Sequence, residues 1–425
     1  MLILALIYFI TILFVSYKNF AWGLYSLAFV LPLYFLRPQI GFLPTTILEL
    51  HFGAVFLVWL FSYARQDWVR IKEFLQNNKL FSWGLFIFFV ASFASIFVSA
   101  IASLEPLQKI ILATGIWRAF FLEPIILFFI LVGRQQNFSK MKMIWALLLS
   151  AFLVSLIAVA QEIFFLLHWQ FPYFGMAIPG RMNSIYTTPN AIGLFTLPVL
   201  FLSLLLLPQL KNKVQKYFYY FVILIILLAN LFSFSQGAWV ALAVAIVVYL
   251  FFAGYKKLSV SLVLLGMIVV LLIPSFRSVV FFQDKAGNNR FVLAEYTWDY
   301  LTDSHRQFVT GAGLRNFFDG IENPRRDPKK LEPLTFPHNI FLNFWSEIGL
   351  FGMLSFFVIF ILLIKHTFNV VDKKKRAVLL ALLTVIFVHG LVDVPYLKND
   401  LAMLFWVVAF IILAESSRLR NSLSS

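Results

Sequence analysis

The sequence predicts an all-α polytopic membrane protein of about 12–13 transmembrane helices with one large extracytoplasmic loop. The first observation behind this is composition: of 425 residues, 61% are hydrophobic and 12% charged, and mean hydropathy is +0.89. Soluble domains carry about 25% charge, so this chain has roughly half of what a water-facing surface needs. The second is the pattern. Stretches such as Leu200–Leu207 and Phe221–Leu228 are apolar all round, and runs near 20 residues match the hydrocarbon thickness of a bilayer at the rise of an α-helix. The third is an alternation of basic and neutral linkers between those runs.

In chain order the apolar runs fall at about 2–17, 20–36, 43–63, 80–102, 111–132, 143–167, 190–208, 217–234, 236–253, 258–274, 338–364, 377–392 and 401–415. The first lacks a basic n-region and a small-residue cleavage site, so it reads as a retained span. Lys18 alone separates it from the second run; counting both gives an odd total with the N-terminus outside, and a re-entrant early segment gives twelve with both ends inside. Basic linkers carry Arg65, Arg70, Lys72 and Lys79; Arg134, Lys140 and Lys142; Lys211, Lys213 and Lys216; Lys256 and Lys257; Lys373–Arg376; and Arg418 and Arg420. They alternate with Lys/Arg-poor linkers at Gly41–Pro44, Ser103–Gln108, Trp169–Pro189, Ser235–Gly237 and Pro395–Asn399. This is the positive-inside pattern, which puts residues 416–425 in the cytoplasm as a tail and the long segment 275–337 outside. The whole chain, 1–425, then forms a single polytopic domain.

Within 275–337, the stretch Asn289–Asp303 mixes aromatic and acidic residues and is expected to be helical, Gly311-Ala-Gly313 a turn, and Pro324, Pro328, Pro333 and Pro337 an extended approach to the next span. A loop of this length is functional or disordered, and its aromatics favour an ordered one at the membrane surface.

The formal net charge is +15 and the pI about 9.8. The basic residues sit in short loops and form no contiguous face that could follow a phosphate backbone, which argues against nucleic acid. There is no Cys, so disulfides, thiolate metal sites and Cys nucleophiles are excluded. No P-loop, zincin or EF-hand motif occurs, and neither a metal nor a cofactor is called for.

Unusual polar residues gather on the predicted outer side. Arg181 follows Pro179-Gly180; Thr187-Thr188-Pro189-Asn190 opens a span whose first N–H groups would form an anion site. Ser235-Gln236-Gly237 breaks two apolar runs, Arg290 lies in the long loop, and His338-Asn339 opens a span in which Glu347 follows, with Gly349 and Gly352 behind it. Each has a structural reading: Arg181 as a headgroup anchor, Arg290 paired with Glu295 or Asp299, His338 as a helix cap. Glu347 is harder to dismiss, because intramembrane carboxylates are costly. His389 and Asp393, one turn apart, read as a proton pair or a small contact between helices, with the structural role favoured. Two arginines and a histidine at one face suit a diphosphate donor and a hydroxyl acceptor, since Arg binds phosphate bidentately and His accepts a proton near neutrality. A transporter or flippase for an anionic or lipid-linked solute could use the same residues.

These motifs resemble the O-antigen ligase and O-antigen polymerase-like family. The resemblance rests on Arg181-x7-Pro189-Asn190, Ser235-Gln236-Gly237-Ala238-Trp239, Gly311-x-Gly313, His338-Asn339 and Glu347-x-Gly349, with Leu31-Pro32-Leu33-Tyr34, Pro44-Thr45-Thr46 and Glu49 upstream. It implies a metal-independent glycosyltransferase of the bacterial cytoplasmic (inner) membrane, active on the extracytoplasmic face in polysaccharide or lipopolysaccharide biosynthesis. The donor would be an undecaprenyl-diphosphate-linked glycan and the acceptor a saccharide or glycolipid, within membrane lipid. The resemblance assigns His338 as general base and Arg290 and Arg181 to the diphosphate, with Asn190, Gln236, Asn339 and Glu347 as further substrate contacts. Family members commonly have Ser-Arg-Gly where this chain has Ser235-Gln236-Gly237; Arg118 is a candidate substitute for the missing charge.

Overall fold

The computed structural model describes residues 2–40, 43–101, 105–171, 176, 178–326 and 333–416. Arg418, Arg420 and the rest of the expected tail beyond 416, and Pro328, lie outside the described residues. Every apolar run read from the sequence falls on a helix. They are α1 (Leu2–Lys18), α2 (Phe20–Val30, prolonged by a 3-10 turn Leu31–Phe35), α3 (Ile47–Ser62), α4 (Ala64–Asn77), α5 (Lys79–Val98), α6 (Pro106–Trp117), α7 (Glu123–Arg134), α8 (Lys140–Leu166), α9 (Asn190–Ser203), α10 (Lys213–Phe232), α11 (Gln236–Ala253) and α12 (Lys256–Leu272). The helices α13 (Pro274–Val280), α14 (Lys285–Thr302), α15 (His305–Thr310) and α16 (Asn323–Arg325) follow, all short but α14, then α17 (Ile340–Phe368), α18 (Lys373–Gly390) and α19 (Asn399–Glu415). The strands among the described residues are a two-residue pair, Gln39–Ile40 with Leu43–Pro44.

Among the described residues, seven helices are long and apolar enough to cross a membrane, or eight if α3 and α4, bent by 95°, count as one span. The protein is a multi-pass membrane protein. The bend changes the reading of residues 64–79, which are helical rather than a basic linker. Ala64–Asn77 buries Asp67, Ile71 and Phe74 at helical spacing and turns Arg65 and Lys72 outward. Trp59 donates to Asp67 at 2.9 Å, and Arg134 lies 3.7 Å from the same carboxylate, so α3, α4 and α7 share one polar knot.

Two helices fill the centre. Ala191–Ser203 of α9 and Asp400–Glu415 of α19 are buried on every side, as expected of helices apolar all round. Around α19, Phe88, Phe121, Phe344, Phe356 and Phe405 pack with Tyr396 and Trp406, and the Trp406 indole donates to the Tyr396 hydroxyl at 2.9 Å. The periphery is apolar too. Leu264, Leu265, Ile268 and Leu271 of α12 are exposed, the arrangement of a helix whose solvent is lipid rather than water.

A break in α17 repositions its carboxylate. Gly349 has φ +75°, so Ile340–Ile348 is a separate short helix and the following apolar stretch begins beyond it. A Cβ at Gly349 would lie 2.6 Å from the Val309 carbonyl oxygen at the end of α15. Glu347 therefore precedes the break instead of lying two turns inside one continuous span. Residues 285–302 are helical as expected, and Gly311 and Gly313 form the turn with φ +68° and +89°.

Candidate active site

Three segments converge where α18 ends. The connection between α18 and α19, the residues preceding α17, and the turn-rich stretch before α9 meet beside the first turns of α14. Asn339 begins the assembly. Its extended backbone caps α17, its side-chain oxygen accepting the N–H groups of Phe341 and Leu342, while its amide donates to the Leu391 carbonyl at 3.2 Å. This double use joins the start of α17 to the end of α18. It also shows that Asn339, not His338, is the cap.

His338 stands one residue earlier, between Pro337 and the cap, with φ +51°. Left-handed backbone is costly for a residue with a side chain and persists only where its surroundings enforce it. Its Nδ1 lies 3.3 Å from Oδ1 of Asp393. The other carboxylate oxygen accepts the Asn190 amide at 2.8 Å, and the Val394 N–H donates to Oδ1 at 2.8 Å. Asn190 in turn accepts from the Arg181 guanidinium at 3.2 Å, whose Nε donates to the Ser233 carbonyl at 3.1 Å. The result is one chain of hydrogen bonds, Arg181–Asn190–Asp393–His338, linking residues far apart in sequence.

Arg290 enters from α14. Its Nε donates to the Val392 carbonyl at 2.9 Å, and among the described residues it makes no ion pair with Glu295 or Asp299. It shares with His338 a cavity of about 210 Å³, walled by Phe282, Phe291, Pro337 and Asn339. Gln236 opens α11 next to its cap Ser235, and a Cβ on Gly237 would meet Val392 Cγ2 at 2.7 Å. The Ser-Gln-Gly turn is thus clamped between the carbonyl that holds Arg181 and the residue whose carbonyl holds Arg290.

The electrostatics follow from burial and neighbours. Burial pushes the Asp393 carboxyl up, but the hydrogen bond and charge of His338, with His389 and Lys398, outweigh it and hold the group well below the usual carboxylate range. Burial, and then the like charge of Arg290, make the Arg181 guanidinium less basic than usual. Two guanidinium groups near enough to repel leave a place where an anion would be stabilised.

Other expected residues go elsewhere. Glu347, 2% exposed, accepts the backbone N–H of Arg315 and fixes the turn after Gly313. Arg118 is spent on two carboxylates, Glu49 at 2.8 Å and Glu123 at 3.2 Å, so it does not stand in for the charge absent at Gln236. The first N–H groups of α9 are not free: Ala191 and Ile192 donate to the carbonyls of Thr188 and Pro189, both at 3.2 Å. Asn190 contributes through its side chain instead. Among the described residues, His389 and Asp393 are not hydrogen-bonded to each other and neither His389 nitrogen has a hydrogen-bond partner, while Asp393 turns to His338. Asp393 was the residue sequence reasoning undervalued, and its one signal was a carboxylate just past the end of an apolar run.

One stretch of the chain carries Gln236, Arg290, His338, Asn339 and Glu347, and it is there that a known family is found. Residues 220–357 match the O-antigen ligase family. The match supports an O-antigen ligase or polymerase-like family for the chain and a glycosyltransferase-like function in general. No curated protein matches the chain. The O-antigen ligase segment supplies Arg290 and His338, whereas Arg181, Asn190 and Asp393, which complete the hydrogen-bond chain, lie on either side of it.

Proposed function

We propose that the protein transfers a glycan from undecaprenyl diphosphate to a hydroxyl of a saccharide or glycolipid at the extracytoplasmic face of the cytoplasmic membrane. One observation carries this reading: His338, tethered through Nδ1 to Asp393, faces the same 210 Å³ cavity as Arg290. A base with its second nitrogen open to a cavity, beside a cation that can hold a leaving diphosphate, suits glycosyl transfer.

In the proposed reaction, Nε2 of His338 takes the proton from the acceptor hydroxyl as its oxygen bonds to the anomeric carbon of the donor. The bond from that carbon to the diphosphate oxygen breaks, and the electron pair leaves with undecaprenyl diphosphate. Arg290 stabilises the departing charge, with Arg181 contributing from the other side of Val392 and Ser233. Asp393 orients the imidazole through Nδ1. Asn339 lines the cavity, and Gln236 would contact the substrate from the start of α11.

The test follows lipid-linked glycan and product in vesicles carrying His338→Ala or Arg290→Ala. Loss of transfer by at least 10²-fold in each, at normal protein levels, is expected for a general base and a charge-stabilising group. Normal product lengths and amounts in both would overturn the mechanism, and a solute flux persisting without any glycan transfer would favour a transporter. Retention of activity in chelator is expected for His and Arg chemistry.

A further inference from the structure

A second cavity, about 460 Å³, opens between the start of α6 and the turn after Gly313. It is lined by Glu105, Gln108, Lys109, Arg315 and Asp319, with Leu314 beneath them. Its position is built with care. Arg315 has φ +61°, a conformation unfavourable for a long side chain, and strain of that kind persists only where surroundings over-determine it. Three contacts do so. Glu347, itself buried, accepts the Arg315 N–H; the Leu314 N–H donates to the Ser95 carbonyl at 3.2 Å; and Gly313 lies so close to the Ser99 backbone that a Cβ has no room.

That effort aims one side chain. Among the described residues, no hydrogen bond or ion pair engages the Arg315 guanidinium, which is exposed and faces the cleft. Opposite it, Lys109 bridges Asp319 and the Asn316 side chain, fastening α6 to the turn. The charges lining the cleft balance in sign, so it does not select an anion.

We propose that this cleft binds neutral sugar units of the glycan, an inference that rests on glycan transfer as the function. The donors of Arg315, the carboxylate of Asp319 and the amide of Gln108, which both donates and accepts, match the alternating donors and acceptors of saccharide hydroxyls. Leu112, exposed on the wall of the cleft, offers an apolar surface to the C–H face of a sugar ring, as small-molecule sites combine apolar walls with a few placed polar groups. Glu347 and Asn339 stand eight residues apart on the short helix 340–348, roughly 12 Å at α-helical rise. The cleft and the His338 cavity thus lie at the two ends of one helical segment, within the span of a single oligosaccharide.

The test uses the full-length protein in nanodiscs and, as probe, the neutral oligosaccharide released from the cell's own lipid-linked glycan by mild acid. Ligand-observed NMR reads binding, and transfer kinetics read KM and kcat. The informative variant is Arg315→Gly, because glycine adopts this backbone without strain and leaves the N–H to Glu347 intact. The expected result is binding in the wild type and in His338→Ala, at least fivefold weaker binding in Arg315→Gly, and a matching rise in glycan KM with kcat nearly unchanged. Equal binding by the wild type and Arg315→Gly, or no binding by the wild type, would overturn the cleft while leaving His338-dependent transfer standing. Arg315-dependent binding without transfer by any form would instead sink the transferase reading.

Discussion

Oδ1 of Asp393 lies 3.3 Å from Nδ1 of His338, across 55 residues of sequence. A carboxylate on one imidazole nitrogen fixes the tautomer and orientation, leaving the other nitrogen to accept a proton. Asp393→Asn keeps the size but loses the charge and the reliable acceptor. Transfer is expected to fall roughly 10²-fold, within the range assigned to general-base assistance, while glycan KM changes little. Steady-state kinetics on reconstituted protein check this, and an unchanged kcat would remove Asp393 from the mechanism.

The same residue gives a pH prediction for stability. Because Asp393 titrates below the usual carboxylate range in the folded protein, its contribution is full above about pH 4, the ordinary Asp value, and is lost as pH falls from there toward the folded pKa. Asp393→Asn is therefore expected to lower thermal stability at pH 7, with the gap from wild type narrowing below pH 4. A thermal-shift series in detergent from pH 3 to 8 reads it; a gap that widens in acid would contradict the assignment.

Arg290 is held by its Nε on the Val392 carbonyl, which leaves the terminal nitrogens for a ligand. Lysine carries the charge but neither the Nε donor nor the planar fork. Arg290→Lys is expected to recover little of the activity lost in Arg290→Ala, both falling roughly 10²–10³-fold in kcat/KM for the lipid-linked donor. Full rescue by lysine would mean that charge alone matters there.

Gly237→Ala probes the wall behind Arg290. The added methyl would sit 2.7 Å from Val392 Cγ2, an overpacking that costs about 1–3 kcal/mol and displaces the carbonyl partner of Arg290. Reduced transfer with only modestly reduced protein is expected, whereas Gly254→Ala tests a site where nothing lies within 4 Å but the positive φ strains any side chain. Loss of transfer equal in both would point to general misfolding.

Glu347→Ala removes the acceptor of the Arg315 N–H. An unsatisfied buried donor costs about 1–3 kcal/mol, so the turn 311–316 is expected to exchange hydrogen faster while α9 and α19 stay protected. Exchange unchanged at 311–316 would show that Glu347 does not hold the turn.

The sequence by itself determined the all-α membrane class and the order of the apolar helices, because a bilayer demands long runs of nonpolar residues and these are visible without knowing what packs on what. Its count of about 12–13 spans exceeds the seven or eight helices that are long and apolar enough among the described residues. It also singled out His338, Asn339, Arg290 and Arg181, since polar residues at the ends of apolar runs stand out against so much Leu and Phe. Partners were another matter. Asp393 looked like a companion of His389, its neighbour one turn back; only the packing of α18 against the start of α17 turned it to His338. Arg118 looked free until the fold brought Glu49 and Glu123 to it. Glu347 read as a membrane-buried site residue until Gly349 broke the helix and gave its carboxylate to Arg315. Helix propensity and hydropathy are local, whereas a hydrogen bond between residues 338 and 393 depends on how whole helices dock, and that was decided by tertiary structure alone.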